Sequence, residues 1–93
     1  MATERIFDCD PGKRTRPLAD RGFDLRDMAE VFADPNRIDL ADRRRDYGEE
    51  RRVTIGQAIG RVFTVVYTMR GPVTWIITAW PASRKERNRY GIR

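Results

Sequence analysis

The pattern of apolar positions divides the chain near residue 50. Before that point one segment shows helical spacing: Leu25, Met28, Ala29 and Phe32 form a single stripe along Asp24–Phe32. Asp24 stands where an N-cap accepts from the first free amides, Asp27 suits the positive end of the helix, and Asp34-Pro35 ends it. Upstream, Arg5–Cys9 is a short mixed run closed by Asp10-Pro11-Gly12 and predicts a first strand. Lys13–Arg21 is helical in composition, shortened or kinked by Pro17 and ended by Gly22. Ile38–Leu40 predicts another short extended piece. Asp42–Glu50 is so charged that it reads as a surface loop, with a turn at Tyr47-Gly48.

Beyond residue 50 the period falls to two. Val53 and Ile55 alternate with Arg52 and Thr54, Gly56–Gly60 turns the chain, and Arg61–Met69 is rich in β-branched and aromatic residues. Gly71-Pro72 turns it again into Val73–Trp80, which is equally β-prone, so three strands joined by short turns make an antiparallel meander. Ser83-Arg-Lys-Glu86 has the form of a capping box and predicts a closing helix over Ser83–Tyr90. The order is β, α, α, a short extended piece, then β, β, β, α. That is an α+β fold in a single domain over 1–93, since 93 residues leave no room for a second core.

Composition narrows the chemistry. The hydrophobic fraction of 40% supports one core under a sheet. A net charge of +5 with a pI near 10.1 favours an anionic partner, and residues 84–93 hold five basic residues against Glu86, hence +4 of that +5. The competing reading of that decapeptide is a merely solvated basic tail. The chain has no histidine, which removes the commonest general base and metal ligand, and its one cysteine excludes an internal disulfide and makes a zinc site improbable. Cys9 reads more simply as a small buried apolar residue than as a reactive thiol. No signal peptide is evident, and no apolar run approaches the roughly 18 residues that span a bilayer, so the cytoplasm is the expected compartment.

The motifs also carry a resemblance. Asp10-Pro-Gly-Lys13, Leu18 to Gly22, Ala29-Glu-Val-Phe32-Ala-Asp-Pro35, Glu49-Glu-Arg-Arg-Val-Thr-Ile-Gly56, Val65-Val-Tyr-Thr68 with Arg70, and Ile76-Ile-Thr-Ala79 followed by Ala82, Glu86, Arg87 and Tyr90 resemble the BrnT toxin family in order and spacing. The resemblance implies a RelE-like fold, and ribonuclease activity with no metal or organic cofactor. It also implies a BrnA-like antitoxin partner that neutralises the toxin and acts with it on operator DNA. The chain departs from the family at Cys9, where Trp is usual, at Pro17, and at Asp20-Arg21-Gly22, where a family histidine is lost. It departs most at Trp75 and Trp80, which stand where the family has arginines.

Cleavage by attack of a ribose 2′-hydroxyl on the adjacent phosphate needs a base, an acid and cations. By residue type, Glu50 or Glu86 is the candidate base, Tyr90 the acid or orienting group, and Arg52, Arg70 and Arg87 are the phosphate clamps. Lys13, Arg21, Trp80, Arg84 and Lys85 are candidate RNA-binding residues. Each has a plainer reading: Glu86 as a capping-box residue, Glu49 and Glu50 as a solvated loop end, and Tyr90 as a ring packed on the sheet. Arg87 and Tyr90, three apart, share a helix face. Five-residue spacing puts Trp75 and Trp80 on opposite faces of a regular strand, so one is expected in the core. The function these residues support is a ribonuclease toxin weakened by its two tryptophans. The alternative is a catalytically inactive module that binds antitoxin and regulates the operator.

Overall fold

A computed structural model describes residues 5–10, 23–43 and 48–91. Five strands, β1 (Ile6–Cys9), β2 (Ile38–Ala41), β3 (Arg52–Ala58), β4 (Arg61–Arg70) and β5 (Val73–Pro81), form one mixed sheet in the order β1-β5-β4-β3-β2. β2 to β5 are antiparallel neighbours, as the meander predicts, and the short extended piece at Ile38 is its first strand. β1 lies parallel to β5 at the far edge, a long-range pairing that no local pattern specifies. The expected helix over Lys13–Arg21 and the turn residue Tyr47 lie outside the described residues.

The helix expected over Asp24–Phe32 is a composite. Asp24 accepts from the Arg26 amide, Asp27 accepts from the Asp24 amide, and this reciprocal cap launches a 3-10 turn over Leu25–Met28 before α1 (Ala29–Ala33). Leu25, Met28 and Val31, three apart, are the buried positions, while Phe32 lies on the flank against Phe7 and Tyr67. They cover the first face of the sheet, where Cys9, Phe63, Val65, Ile76 and Ala79 complete the core. Ser83–Glu86 forms the capping box read from the sequence, and α2 (Arg84–Gly91) follows it. Among the described residues no helix is long and apolar enough to cross a membrane.

Two local expectations are corrected. β3 runs straight through Gly56 to Ala58, and the turn is only Ile59-Gly60, with Ile59 at φ 42°. Gly56 is there for close approach, not for turning: a Cβ would lie 3.0 Å from Val31 Cγ1 and 3.1 Å from Arg37 Cβ. Gly56→Ala is therefore expected to cost about 1–3 kcal/mol by pushing α1 off the sheet. A lowered denaturation midpoint at constant slope would show it, and an unchanged midpoint would mean that α1 yields freely.

The second correction concerns the tryptophans. Trp80 pairs with Thr64 and Trp75 with Thr68, both on the even-numbered face of β4. A β-bulge makes this possible: the register shifts between Val66, opposite Thr78, and Tyr67, opposite Ile76, so Ile77 is an extra residue. The alternation slips by one, and both indoles share the second face of the sheet.

Candidate active site

The second face is the one that α2 crosses. At one end Arg70, from the last position of β4, lies over the Trp75 ring with its guanidinium carbon 4.3 Å from the centroid. Glu49 is 3.8 Å from the same guanidinium, and the Glu50 carbonyl accepts a 2.6 Å bond from the Thr68 hydroxyl. The loop before β3 is thereby tied beside Arg70, while the Glu50 residue stays exposed.

Toward the other end, Glu86 Oε1 accepts from the Ser83 amide at 2.8 Å and from the Trp80 indole at 3.1 Å. The glutamate is therefore the capping-box residue and also the group that fixes the Trp80 ring. Thr64 Oγ1 is buried without a partner of full hydrogen-bond geometry, yet it lies near enough to favour the anion. Burial opposes ionisation of Glu86, but the donors from Ser83, Trp80 and Thr64 outweigh it and hold the carboxyl below its usual range. Its folded value thus lies under the ordinary glutamate value of 4.5 that the unfolded chain would show. The stabilisation it provides is complete above that pH and is lost as the pH falls through the folded value. Below about pH 4 the melting temperature of the wild type should drop more steeply than that of Glu86→Gln, whose amide does not titrate. Parallel profiles would mean that the charge of Glu86 adds nothing to stability.

On α2, Arg84, Lys85, Arg87 and Arg89 are exposed. Arg87 donates to the Ala82 carbonyl at 2.8 Å, and the Tyr90 hydroxyl donates to Asp34 Oδ2 at 2.6 Å. The two residues thus contact different parts of the fold despite their three-residue spacing.

Arg52 is placed apart from these groups. It pairs with Tyr67 on the first face, where its Nε donates to Asp39 Oδ2 at 2.8 Å and the Tyr67 hydroxyl donates to Asp39 Oδ1 at 2.7 Å. The hydrogen bond and charge of Asp39 raise the pKa of Arg52, and burial followed by the same carboxylate raises that of Tyr67. Arg37 joins them, 3.5 Å from Asp39 and bonded to the Thr54 hydroxyl. Asp39 is thus the junction of β2, β3 and β4.

The structure therefore brings Arg70, Glu50, Trp80, Arg84, Lys85 and Arg87 to the second face and its helix, with Tyr90 reaching from that helix to Asp34. It leaves Arg52 behind the sheet, and Lys13 and Arg21 lie outside the described residues. Sequence reasoning missed Asp39 and Asp34, isolated carboxylates whose partners are distant in sequence. It also missed Arg43 and Arg89, which line a cleft with Trp80 and Glu86 and whose signal was only the basic composition around them.

No curated protein matches this chain. A family model described as "Ribonuclease toxin, BrnT, of type II toxin-antitoxin system" matches residues 9–86. The match runs from the last residue of β1 to the carboxylate that caps α2, leaving Arg87 and Tyr90 just beyond it. The chain belongs to the BrnT family of ribonuclease toxins of type II toxin–antitoxin systems.

Proposed function

We propose that this chain is a cytoplasmic, metal-independent endoribonuclease of RelE-like layout, neutralised by a BrnA-like antitoxin with which it acts on operator DNA. The observation that carries the ribonuclease reading is the family match across residues 9–86. Metal independence is supported by composition, with no histidine and a single cysteine to hold a transition metal.

In this reading Glu50, exposed at the loop end beside Arg70, takes the proton of the attacking 2′-hydroxyl. Arg70, beside Glu50, binds the scissile phosphate and offsets its growing charge, while Arg87, toward the other end of the face, binds a more distant phosphate of the same strand with Arg84 and Lys85. Tyr90 serves as acid or orienting group. Arg52, behind the sheet and bound to Asp39, would meet a different part of the RNA or none. Cleavage of RNA oligomers by the purified protein, unaffected by a chelator, is the test. Protection of cells by the neighbouring gene's product tests the antitoxin. A protein recovered alone from its native operon would sink the partnership.

A second reading is favoured by one observation, the indoles at 75 and 80 where the resembling family has arginines. It is an inactive antitoxin-binding and operator-regulating module. Growth arrest on expression without antitoxin separates the two, since a soluble but harmless protein would favour the inactive module.

Binding should be electrostatic in either case. Arg84→Ala/Arg87→Ala is expected to weaken affinity for single-stranded RNA and to reduce its logarithmic salt slope by about 1.4, or about 0.7 per lost phosphate contact. An unchanged slope would remove α2 from the RNA path.

A further inference from the structure

Between α2 and the β2 end of the sheet lies a cleft of about 210 Å³ lined by Trp80, Val53, Leu40, Glu86, Arg43 and Arg89. The bulge at Ile77 is what brings Trp80 to this face, and the indole N–H bond to Glu86 holds the ring in one orientation. A fixed aromatic ring beside aliphatic side chains suits a flat heterocycle, which stacks without paying to order the ring. Both bonds given to Glu86 by Ser83 and Trp80 use Oε1, so Oε2 makes neither. Arg43 and Arg89 both line the cleft and are exposed, one just after β2 and the other on α2. A base in the cleft would thus carry its flanking phosphates toward two cations.

We propose that this cleft holds one unpaired nucleobase of the RNA, guanine in preference to uracil, stacked on Trp80 with its adjoining phosphates on Arg43 and Arg89. The inference rests on the ribonuclease reading for the identity of the polymer, and it adds the conformation and the base. The strand must be single, because a base inside a duplex has neither a free face nor a free pairing edge. Guanine is selected by the acceptor in the cleft. Its pairing edge presents two adjacent N–H donors that can both turn to Oε2, the oxygen that Ser83 and Trp80 leave, whereas uracil presents one donor between two carbonyl oxygens that a carboxylate repels. Trp80 thus gains a role of its own, as a broad, uncharged stacking surface that leaves Glu86 Oε2 for the base.

The test uses the full chain with Trp75→Phe, so that emission reports Trp80 alone. Short single-stranded thymidylate oligomers, with or without one central deoxyguanosine, are titrated; thymine has the pairing edge of uracil, and DNA lacks the 2′-hydroxyl, so binding is read without cleavage. Quenching of Trp80 is expected, with about tenfold tighter binding of the guanine-containing oligomer. Trp80→Ala should lose about tenfold in affinity and Trp80→Phe much less, with circular dichroism verifying that each variant is folded. Glu86→Gln should narrow the gap between the two oligomers. Equal affinities, or unquenched emission, would overturn the proposal. Cleavage of an RNA oligomer is measured separately. Cleavage without Trp80 quenching removes the cleft and leaves the ribonuclease, while quenching with base preference but no cleavage does the reverse.

Discussion

Trp80→Arg is expected to raise RNA cleavage by about 10²–10³, the usual worth of one preorganised donor aimed at developing charge. The indole occupies a place on the second face next to Glu86, within reach of the strand that α2 would hold. It can stack on a base but cannot give a phosphate the paired N–H bonds of a guanidinium. An arginine there would still satisfy Glu86, now as an ion pair, and would have further donors for the phosphate. The gain in cleavage should come with a loss of base preference, because the Glu86 carboxylate that selects the base would be taken up by the ion pair. Growth on induced expression should slow accordingly. A folded Trp80→Arg protein that cleaves no faster than wild type would show that position 80 does not hold the missing chemistry. Trp75→Arg is a different experiment: it replaces the ring on which Arg70 lies, 4.3 Å away, with a second cation, and is expected to loosen that end of the face instead of activating it.

The tryptophans also show where a sequence is readable and where it is not. Signals carried within one turn are readable. The reciprocal bonds of Asp24 with Asp27 and of Ser83 with Glu86 depend on residues three apart, and both caps form where their spacing predicts. Alternation located the strands of the meander, and the burial of Cys9 followed from its size and polarity. What failed depended on pairing. A bulge is a property of two strands, so nothing within Val73–Trp80 announces that Ile77 will be the extra residue. Gly56 has the local signature of a turn, whereas the approach of Val31 and Arg37, which makes glycine necessary, comes from segments some twenty residues away. Arg52 looked like an available cation for the same reason: only the β2–β3 register, which sets Asp39 opposite Thr54, brings a carboxylate to its guanidinium. The order of elements was therefore legible, as was the basic character of α2, but not the face on which each charge would stand.

Asp34→Ala is expected to be among the most destabilising single changes outside the apolar core, at about 2–3 kcal/mol. Pairing of β3 with β2 ends at Ile55, so the edge of β3 beyond it needs another acceptor. Asp34 supplies one: Oδ2 accepts from the Gln57 amide at 2.9 Å and from the Tyr90 hydroxyl at 2.6 Å, while Oδ1 accepts from the Asn36 amide at 2.9 Å. One carboxylate thus ties the end of α1, the edge of β3 and the last turn of α2. The tie to α2 matters most, because no residue of that helix is fully buried and its seat on the sheet is largely polar. Tyr90→Phe removes that bond while keeping the ring and should cost about 1 kcal/mol. Since the two residues act through one contact, the double mutant should be no less stable than Asp34→Ala alone. The same pair decides what Tyr90 does in cleavage. A phenol hydroxyl already committed to a carboxylate positions the helix, so Tyr90→Phe and Asp34→Ala should lower cleavage by similar, modest factors. If Tyr90 instead donates a proton to the leaving oxygen, Tyr90→Phe alone would lose about 10² or more, and Asp34→Ala, which keeps the phenol, would not.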